Sequence, residues 1–246
     1  MGRLIADPSL AERSFVFDDR EDAGRVLAVM LSGYRKAPDA VVLAIPAGGV
    51  PVGRVLAEAL GLPFELIFVR KLHFPDNPEA GFGAVSEGGE VLLNPELAAL
   101  LPPETIRRVI AEELGALAER VRRLRKRPPR DLRGKTVILT DDGLASGYTM
   151  RAAVREARRR GARRVVVAVP TASRAAVSRL LPEVDELYVA NLRSGPAFAV
   201  ADAYRRWRDL DLDEVEALLS AQEDALDQQQ GDPDDDQGVG QVEDRP

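Results

Sequence analysis

Five short apolar runs set the limits on what this chain can fold into. They cover residues 41–45, 64–69, 136–140, 164–169 and 186–190, and each is continuously apolar or nearly so. A strand with one wet face alternates, whereas a continuous run of this length marks a strand buried on both faces, as in a parallel sheet. Helix-like stretches lie between the runs. Asp18 or Asp19 caps a helix to about Leu31, and Val52 to Leu60 reads as another. Pro102-Pro103 introduce a long one to about Arg127, with Ile106, Val109, Ile110, Leu114, Leu117, Val121 and Leu124 on one stripe. Further helices are expected over 149–160, which Gly161 ends, and over 173–181. Asp211 with Glu214 forms a capping-box pattern for a last helix to about Leu219. The expected fold is α/β: an open, mostly parallel, doubly wound sheet flanked by helices, with a β-hairpin near 83–93.

Composition bounds the rest. The 246 residues include no cysteine and one histidine, His73, which excludes disulfides, thiolate sites, His-based triads and multi-His metal sites. No apolar run approaches the ~18 residues of a membrane span, and the start, MGRLIADPSLAERSF, has no apolar secretory core. A cytoplasmic location is therefore expected, without membrane partners. The net charge is −6, but residues 221–246 hold nine acids and one Arg, which leaves +2 on the remainder. The expected division is a folded domain over 1–220 and a disordered acidic tail over 221–246. The basic cluster from Arg120 to Lys135 shares its helix with Glu112, Glu113 and Glu119 and has no interleaved aromatics, so it reads as solvated helix face and not as a nucleic-acid surface.

The chemistry is concentrated in Val137–Met150, VILTDDGLASGYTM. A strand stops at two carboxylates, Asp141 and Asp142; a small-residue loop follows; Thr149 opens an Ala- and Arg-rich helix. A turn leading into a helix N-terminus presents backbone N–H groups and the positive end of the helix dipole to an anion such as phosphate. The adjacent acids suit sugar hydroxyls or a metal ion. A ribose 5-phosphate satisfies both halves. About ninety residues earlier, the strand 41–45 ends in Pro46-Ala47-Gly48-Gly49-Val50-Pro51, again a place where backbone can closely approach an anion. The strand 64–69 ends at Arg70-Lys71, and charges at a strand's carboxyl end face the crevice of such a sheet.

DDGLASGYT resembles the signature of type I phosphoribosyltransferases, which bind 5-phosphoribosyl 1-diphosphate (PRPP). The resemblance runs from about Phe15 to Leu219 through FDDREDAGRVLA, IPAGGVPVG, VRKLHFPDNPEAGFGAV, GKTVILTDDGLASGYTM and LDEVEALL, and is fullest to a group of bacterial members of undefined acceptor. It implies a Rossmann-like sheet with a flexible-loop insertion and a small hood. It implies that Asp141 and Asp142 hold the ribose hydroxyls, that Gly143, Leu144, Ala145, Ser146, Gly147, Tyr148 and Thr149 bind the 5-phosphate side of PRPP, and that Ala47, Gly48, Gly49 and Val50 bind its diphosphate. Arg70 and Lys71 are expected to assist the departing diphosphate, and the Pro- and Gly-rich 72–90 stretch suits a lid. Mg²⁺ is the implied cofactor, held indirectly by Asp141 and Asp142 through ligand and water. Ser146 stands where Thr is usual, and Tyr148 where a small residue is common.

The acceptor is the least defined part. The resemblance places it against a hood after the last strand, where Asn191, Leu192, Pro196, Phe198, Tyr204 and Trp207 lie; Phe198 and Leu192 are the acceptor-site candidates, while Tyr204 and Trp207 suit the core. Ala145 occupies the position where hypoxanthine- and guanine-type members carry an acid, which disfavours that specificity. The expected activity is nucleotide-salvage-type transfer of a phosphoribosyl group to a nucleobase or related amine. The expected partners are these small molecules, with no nucleic acid and with a homodimer as an open alternative. Two rivals are a non-catalytic PRPP- or nucleotide-sensing regulator and a diphosphate-forming kinase of ribose 5-phosphate. The kinase family normally has two such domains, and one PRPP-type loop is present here.

Overall fold

The computed structural model describes residues 2–195 and 197–220. Six strands form one sheet, all neighbours parallel: β1 (Arg3–Ala6), β2 (Ala40–Ala44), β3 (Phe64–Leu66), β7 (Thr136–Thr140), β8 (Arg164–Ser173) and β9 (Glu186–Arg193), in the spatial order β1-β9-β8-β7-β2-β3. Every residue of β2 and β7 is buried, including the threonines that bound the apolar Val137–Leu139 of β7. Val41, Leu43, Val137, Leu139, Val165 and Val167 point to one face, covered by α5 (Tyr148–Arg159) and α6 (Arg174–Leu180). Val42, Ile138, Val166 and Ala168 point to the other, under α1 (Arg20–Met30) and α2 (Gly49–Leu60). The sheet is thus doubly wound. Chain order reverses between β2 and β7, which pair from Ala40↔Thr136 to Ala44↔Thr140, so the loops after these two strands share one crevice.

The caps follow the local sequence. The Asp19 carboxylate accepts from the Asp22 N–H at the start of α1. At the last helix, described over 212–220, the Glu214 N–H donates to Asp211 Oδ1 (2.8 Å) and the Asp211 N–H to Glu214 Oε2 (3.1 Å), a complete capping box. The proposed acidic tail lies outside the described residues.

Beyond β3 the structure departs from expectation. The run 64–69 is not one strand ending at Arg70-Lys71. The sheet strand stops at Leu66, and β4 (Val69–Phe74) belongs to a separate antiparallel sheet with β5 (Asn77–Ser86) and β6 (Val91–Leu93). Ile67 and Phe68 make the crossing because they fill different cores, Ile67 beneath the main sheet and Phe68 beneath the small one, where Arg125 also lies over its ring at 4.9 Å. Arg70 and Lys71 therefore sit inside a strand. The 72–90 stretch is mostly paired strand, with turns after Phe74 and at Gly88-Gly89. A short helix, α3 (Pro95–Ala98), and the long α4 (Pro103–Leu124) follow, and α4 lays Val109, Leu117 and Leu124 against this sheet. Residues 3–6 form an edge strand that the five apolar runs do not announce.

Helix α2 approaches the sheet closely at Gly53, where a Cβ would lie 2.8 Å from Ala44 Cβ and 2.9 Å from both Phe64 Cε2 and Thr140 Cγ2. Gly53→Ala would gain about 1 kcal/mol of helix propensity, but overpacking costs about 1–3 kcal/mol. The expected result is a net loss of stability in urea unfolding, in contrast to the gain seen for the same change at an uncrowded helix position.

Candidate functional site

The site is built where β2 and β7 end. Ile45 N–H donates to Thr140 O at 3.0 Å, extending the pairing by one residue, and the loops then diverge. After β2 the chain runs through Pro46–Gly48, with a cis bond between Pro46 and Ala47, and enters α2. The N–H groups of Gly49 and Val50 bond back to Ile45 O and Ala47 O. The two glycines are dictated by space. A Cβ on Gly48 would lie 2.0 Å from Asp142 Oδ2, and one on Gly49 2.9 Å from Thr140 O and 3.0 Å from Asp141 Cα. Each loop fills the volume that a side chain on the other would need.

After β7 the acid pair turns into a tight loop. Asp142 N–H donates to Asp141 Oδ1 at 2.9 Å. Leu144 is buried, and its N–H and C=O bond to Thr171 O and Ser173 N–H of β8 at 2.9 and 3.0 Å. Leu144 is thus an anchor, while Ala145 and Ser146 stand exposed. Gly147 has φ +83, the left-handed geometry that glycine adopts without strain, and turns the chain into α5. The N-terminus of α5, with Tyr148 and Thr149, faces the same crevice end of the sheet as the acids.

The two acids have different surroundings. Asp142 is gripped by Arg20 of α1: Arg20 Nε donates to Asp142 Oδ2 at 3.0 Å, and Nη2 lies 2.9 Å from the same oxygen. Arg20 Nη1 also donates to Arg208 O at 2.9 Å, and the guanidinium lies 3.9 Å from the centre of the Trp207 ring. Tyr204 Oη donates to Asp142 O at 2.6 Å. Burial pushes the Asp142 carboxyl above its ordinary range, and the Arg20 cation restrains the shift. Asp141 is pushed well above that range, first by burial and then by the neighbouring charge of Asp142. Arg20 belongs to the sequence landmark FDDREDAGRVLA, yet periodicity gives no sign that it points inward; at 8% exposure it is buried.

Asp141 lines a cavity of about 240 Å³ together with Ile45, Pro46, Val69, Arg70, Lys71, His73, Arg120 and Thr149. Four segments distant in sequence meet there: the loop after β2, strand β4, helix α4 through Arg120, and the acid loop with the start of α5. Arg70 Nε donates to Glu113 Oε2 at 2.5 Å, and His73 Nδ1 lies 3.1 Å from Glu113 Oε1. Burial opposes ionisation of Glu113, but the Arg70 and His73 contacts outweigh it and hold the carboxyl below its usual range. Arg120, which the sequence places among solvated arginines, is in the cavity wall, with Nη1 donating to Pro46 O at 3.3 Å.

The acceptor candidates are not brought into this cavity. Leu192 is 7% exposed and packs in the main core, and Phe198 lies over the Arg193 guanidinium at 5.7 Å. Asn191 is buried and bonded to Thr171, Leu10 and Arg13. Tyr204 and Trp207 pack against the α1–α2 side as expected, and Pro196 lies outside the described residues. Among the described residues no three or more His, Cys, Asp or Glu side chains converge as a metal cluster, and no helix is long and apolar enough to cross a membrane.

Comparison with known proteins gives the same frame. The phosphoribosyl transferase domain family matches residues 19–186. A protein of Mycobacterium tuberculosis H37Rv, provisionally named a phosphoribosyl transferase, is 40% identical over 211 residues, and so is its counterpart in strain CDC 1551. The match covers 83% of this chain and 46% of either relative, so the chain spans about half the length of these curated relatives. The crystal structure of TT1426 from Thermus thermophilus is 38% identical, superposes with a TM-score of 0.66, and covers 82% of this chain and 97% of that one. With the matched span reaching from the cap of α1 to the start of β9 and including both loops of the site, the chain belongs to the phosphoribosyl transferase domain family.

Proposed function

We propose that this protein transfers the 5-phosphoribosyl group of PRPP to a nitrogenous acceptor, a nucleobase or a related amine, and releases diphosphate. The observation that carries the reading is the contact of Gly48 and Gly49 with Asp142 and Asp141 at the ends of two adjacent parallel strands, beside a cavity that also holds Arg70 and Lys71. In the reaction the bond from ribose C1 to the diphosphate oxygen breaks and its electron pair leaves with diphosphate. The acceptor nitrogen forms the new bond to C1 and loses a proton. Asp141 accepts hydrogen bonds from the ribose hydroxyls. Asp142, already bonded to Arg20, fixes the position of the pair. The amides of Ala145 to Thr149 cradle the 5-phosphate at the N-terminus of α5. In the other loop the N–H groups of Gly49 and Val50 are engaged within the chain, so those of Ala47 and Gly48 serve the diphosphate, assisted by Lys71 and Arg70. Preorganised charge of this kind supplies the largest part of most catalytic accelerations. His73 is positioned by Glu113, the arrangement in which an imidazole can take a proton from an acceptor.

Mg²⁺ fits this donor set. Arg20 is bonded to Asp142 alone of the two acids, and the high proton affinity of Asp141 marks a carboxylate that gains from a hard cation or from hydroxyl donors. Asp141 and Asp142 would hold the ion through PRPP oxygens and water, and its charge would screen the departing diphosphate. The test is incubation with PRPP, Mg²⁺ and a panel of bases and amines, with diphosphate as the readout. Acceptor-dependent diphosphate release is expected. Tight PRPP binding with no turnover across a broad panel would replace the enzyme with a PRPP sensor.

A further inference from the structure

We propose that Arg120, on α4, is a direct contact for the diphosphate group, so that the helix packed behind the small antiparallel sheet forms one wall of the active site. The proposal rests on the phosphoribosyl-transfer reading and extends it to a residue outside both loops.

Neighbouring arginines on and just beyond α4 are matched to acids: Arg122 to Glu119, Arg123 to Asp213 and Glu216, and Arg125 to Glu87. Arg120 pairs with no carboxylate among the described residues. It reaches inward, where Nη1 donates to Pro46 O at 3.3 Å, on the loop proposed for diphosphate. Its Nε is buried and meets no hydrogen-bond partner among the described residues. A guanidinium carries five donors in a rigid fork suited to paired phosphate oxygens, and a buried charge is costly unless it is matched. Burial, and next the Arg70 charge, lower its proton affinity, and the Glu113 charge offsets this only in part. Arg70 itself is committed to Glu113. Arg120 therefore adds a positive charge on the Pro46 side of the cavity that also holds Lys71, and the anion it fits is diphosphate, not the 5-phosphate cradled at the start of α5.

Calorimetric titration of the full chain with inorganic diphosphate plus Mg²⁺, and separately with ribose 5-phosphate, tests this. Arg120→Met should weaken diphosphate tenfold to a hundredfold, as loss of a charged hydrogen bond does, and should leave ribose 5-phosphate affinity and melting temperature nearly unchanged. Arg120→Lys should recover part of the loss, since it restores charge without the fork. Arg122→Met, on the exposed side of the same helix, should bind diphosphate like the wild type. Equal diphosphate affinity in wild type and Arg120→Met overturns the proposal. So does equal weakening of both ligands with a lower melting temperature, which would mark a structural role. Wild-type protein that binds neither PRPP nor diphosphate would instead sink the phosphoribosyl-transfer reading, and this proposal with it.

Discussion

Arg20→Met should lower the melting temperature by on the order of 10 °C at pH 8. The arginine is 8% exposed and Asp142 is its carboxylate partner at 2.9 Å. Removing one partner of a buried pair leaves an uncompensated charge and costs about 3–5 kcal/mol; in a domain of this size each kcal/mol shifts the midpoint by about 2–4 °C. The pH dependence has a definite sign. The Asp142 carboxyl is already raised by burial, and Arg20 is what restrains it, so in the variant it rises further. The costly species is the carboxylate. The deficit is therefore full at high pH and shrinks as pH falls through the raised value, because a protonated Asp142 no longer needs the guanidinium. The double variant Arg20→Met/Asp142→Asn should recover much of the loss at every pH. A single variant as stable as the wild type at pH 8 would show that Asp142 is solvated well enough to stand alone.

Asp141→Asn should separate stability from binding. Its carboxyl is the more strongly raised of the pair, by burial and by Asp142 beside it. In the ligand-free protein its ionised form is a liability, so the amide should raise the melting temperature at pH 8. Wild-type protein should gain stability as pH falls from about 8 through the raised value of Asp141, and the variant, which keeps only the smaller rise of Asp142, should gain less. The carboxyls held low, such as Glu113 and Asp39, weaken the fold only near and below their ordinary values of about 4, outside this window. Binding should move the other way. With a charged acceptor for the ribose hydroxyls removed, PRPP affinity should drop about tenfold to a hundredfold. Melting curves with and without PRPP and Mg²⁺ read both effects. Normal PRPP binding in the variant would remove Asp141 from the ribose, and a lower ligand-free melting temperature would mean that its charge is fully compensated.

Much of this architecture is legible in the sequence because burial on two faces leaves an unmistakable signature. The runs at 41–45 and 137–139 carry no charge and no polar side chain, and the pattern that follows each one fixes a turn and a helix. Asp19 and Asp211 declare their caps locally, since capping is a contact between near neighbours in the chain. The unread features arise at long range. The residues RLIA at 3–6 become a strand only because the edge of β9 accepts them. Nothing local separates the inward Arg120 from the outward Arg122; α4 acquires its buried side when the small sheet docks on it. Arg20 looks like any helix arginine until Trp207 and the Arg208 carbonyl arrive from the far end of the chain. Residues 64–71 mislead because two cores draw adjacent side chains, which a one-dimensional pattern merges into one strand. The acceptor side stays unassigned for the related reason that Phe198 and Leu192 both have partners of their own within the fold.

The mutual exclusion of Gly48 and Asp142 has a bearing on redesign. Since each loop occupies the space a side chain on the other would take, neither can be transplanted singly. A loop carried in from a relative with a bulkier first half would displace Asp142 and Asp141. One with a longer acid half would strike the glycines. Tyr204, bonded to the Asp142 carbonyl, extends the constraint to a third segment. Chimeras in this family should therefore exchange the two loops and the Tyr204 segment as one cassette, and single-loop swaps should yield folded proteins that no longer bind the proposed sugar phosphate.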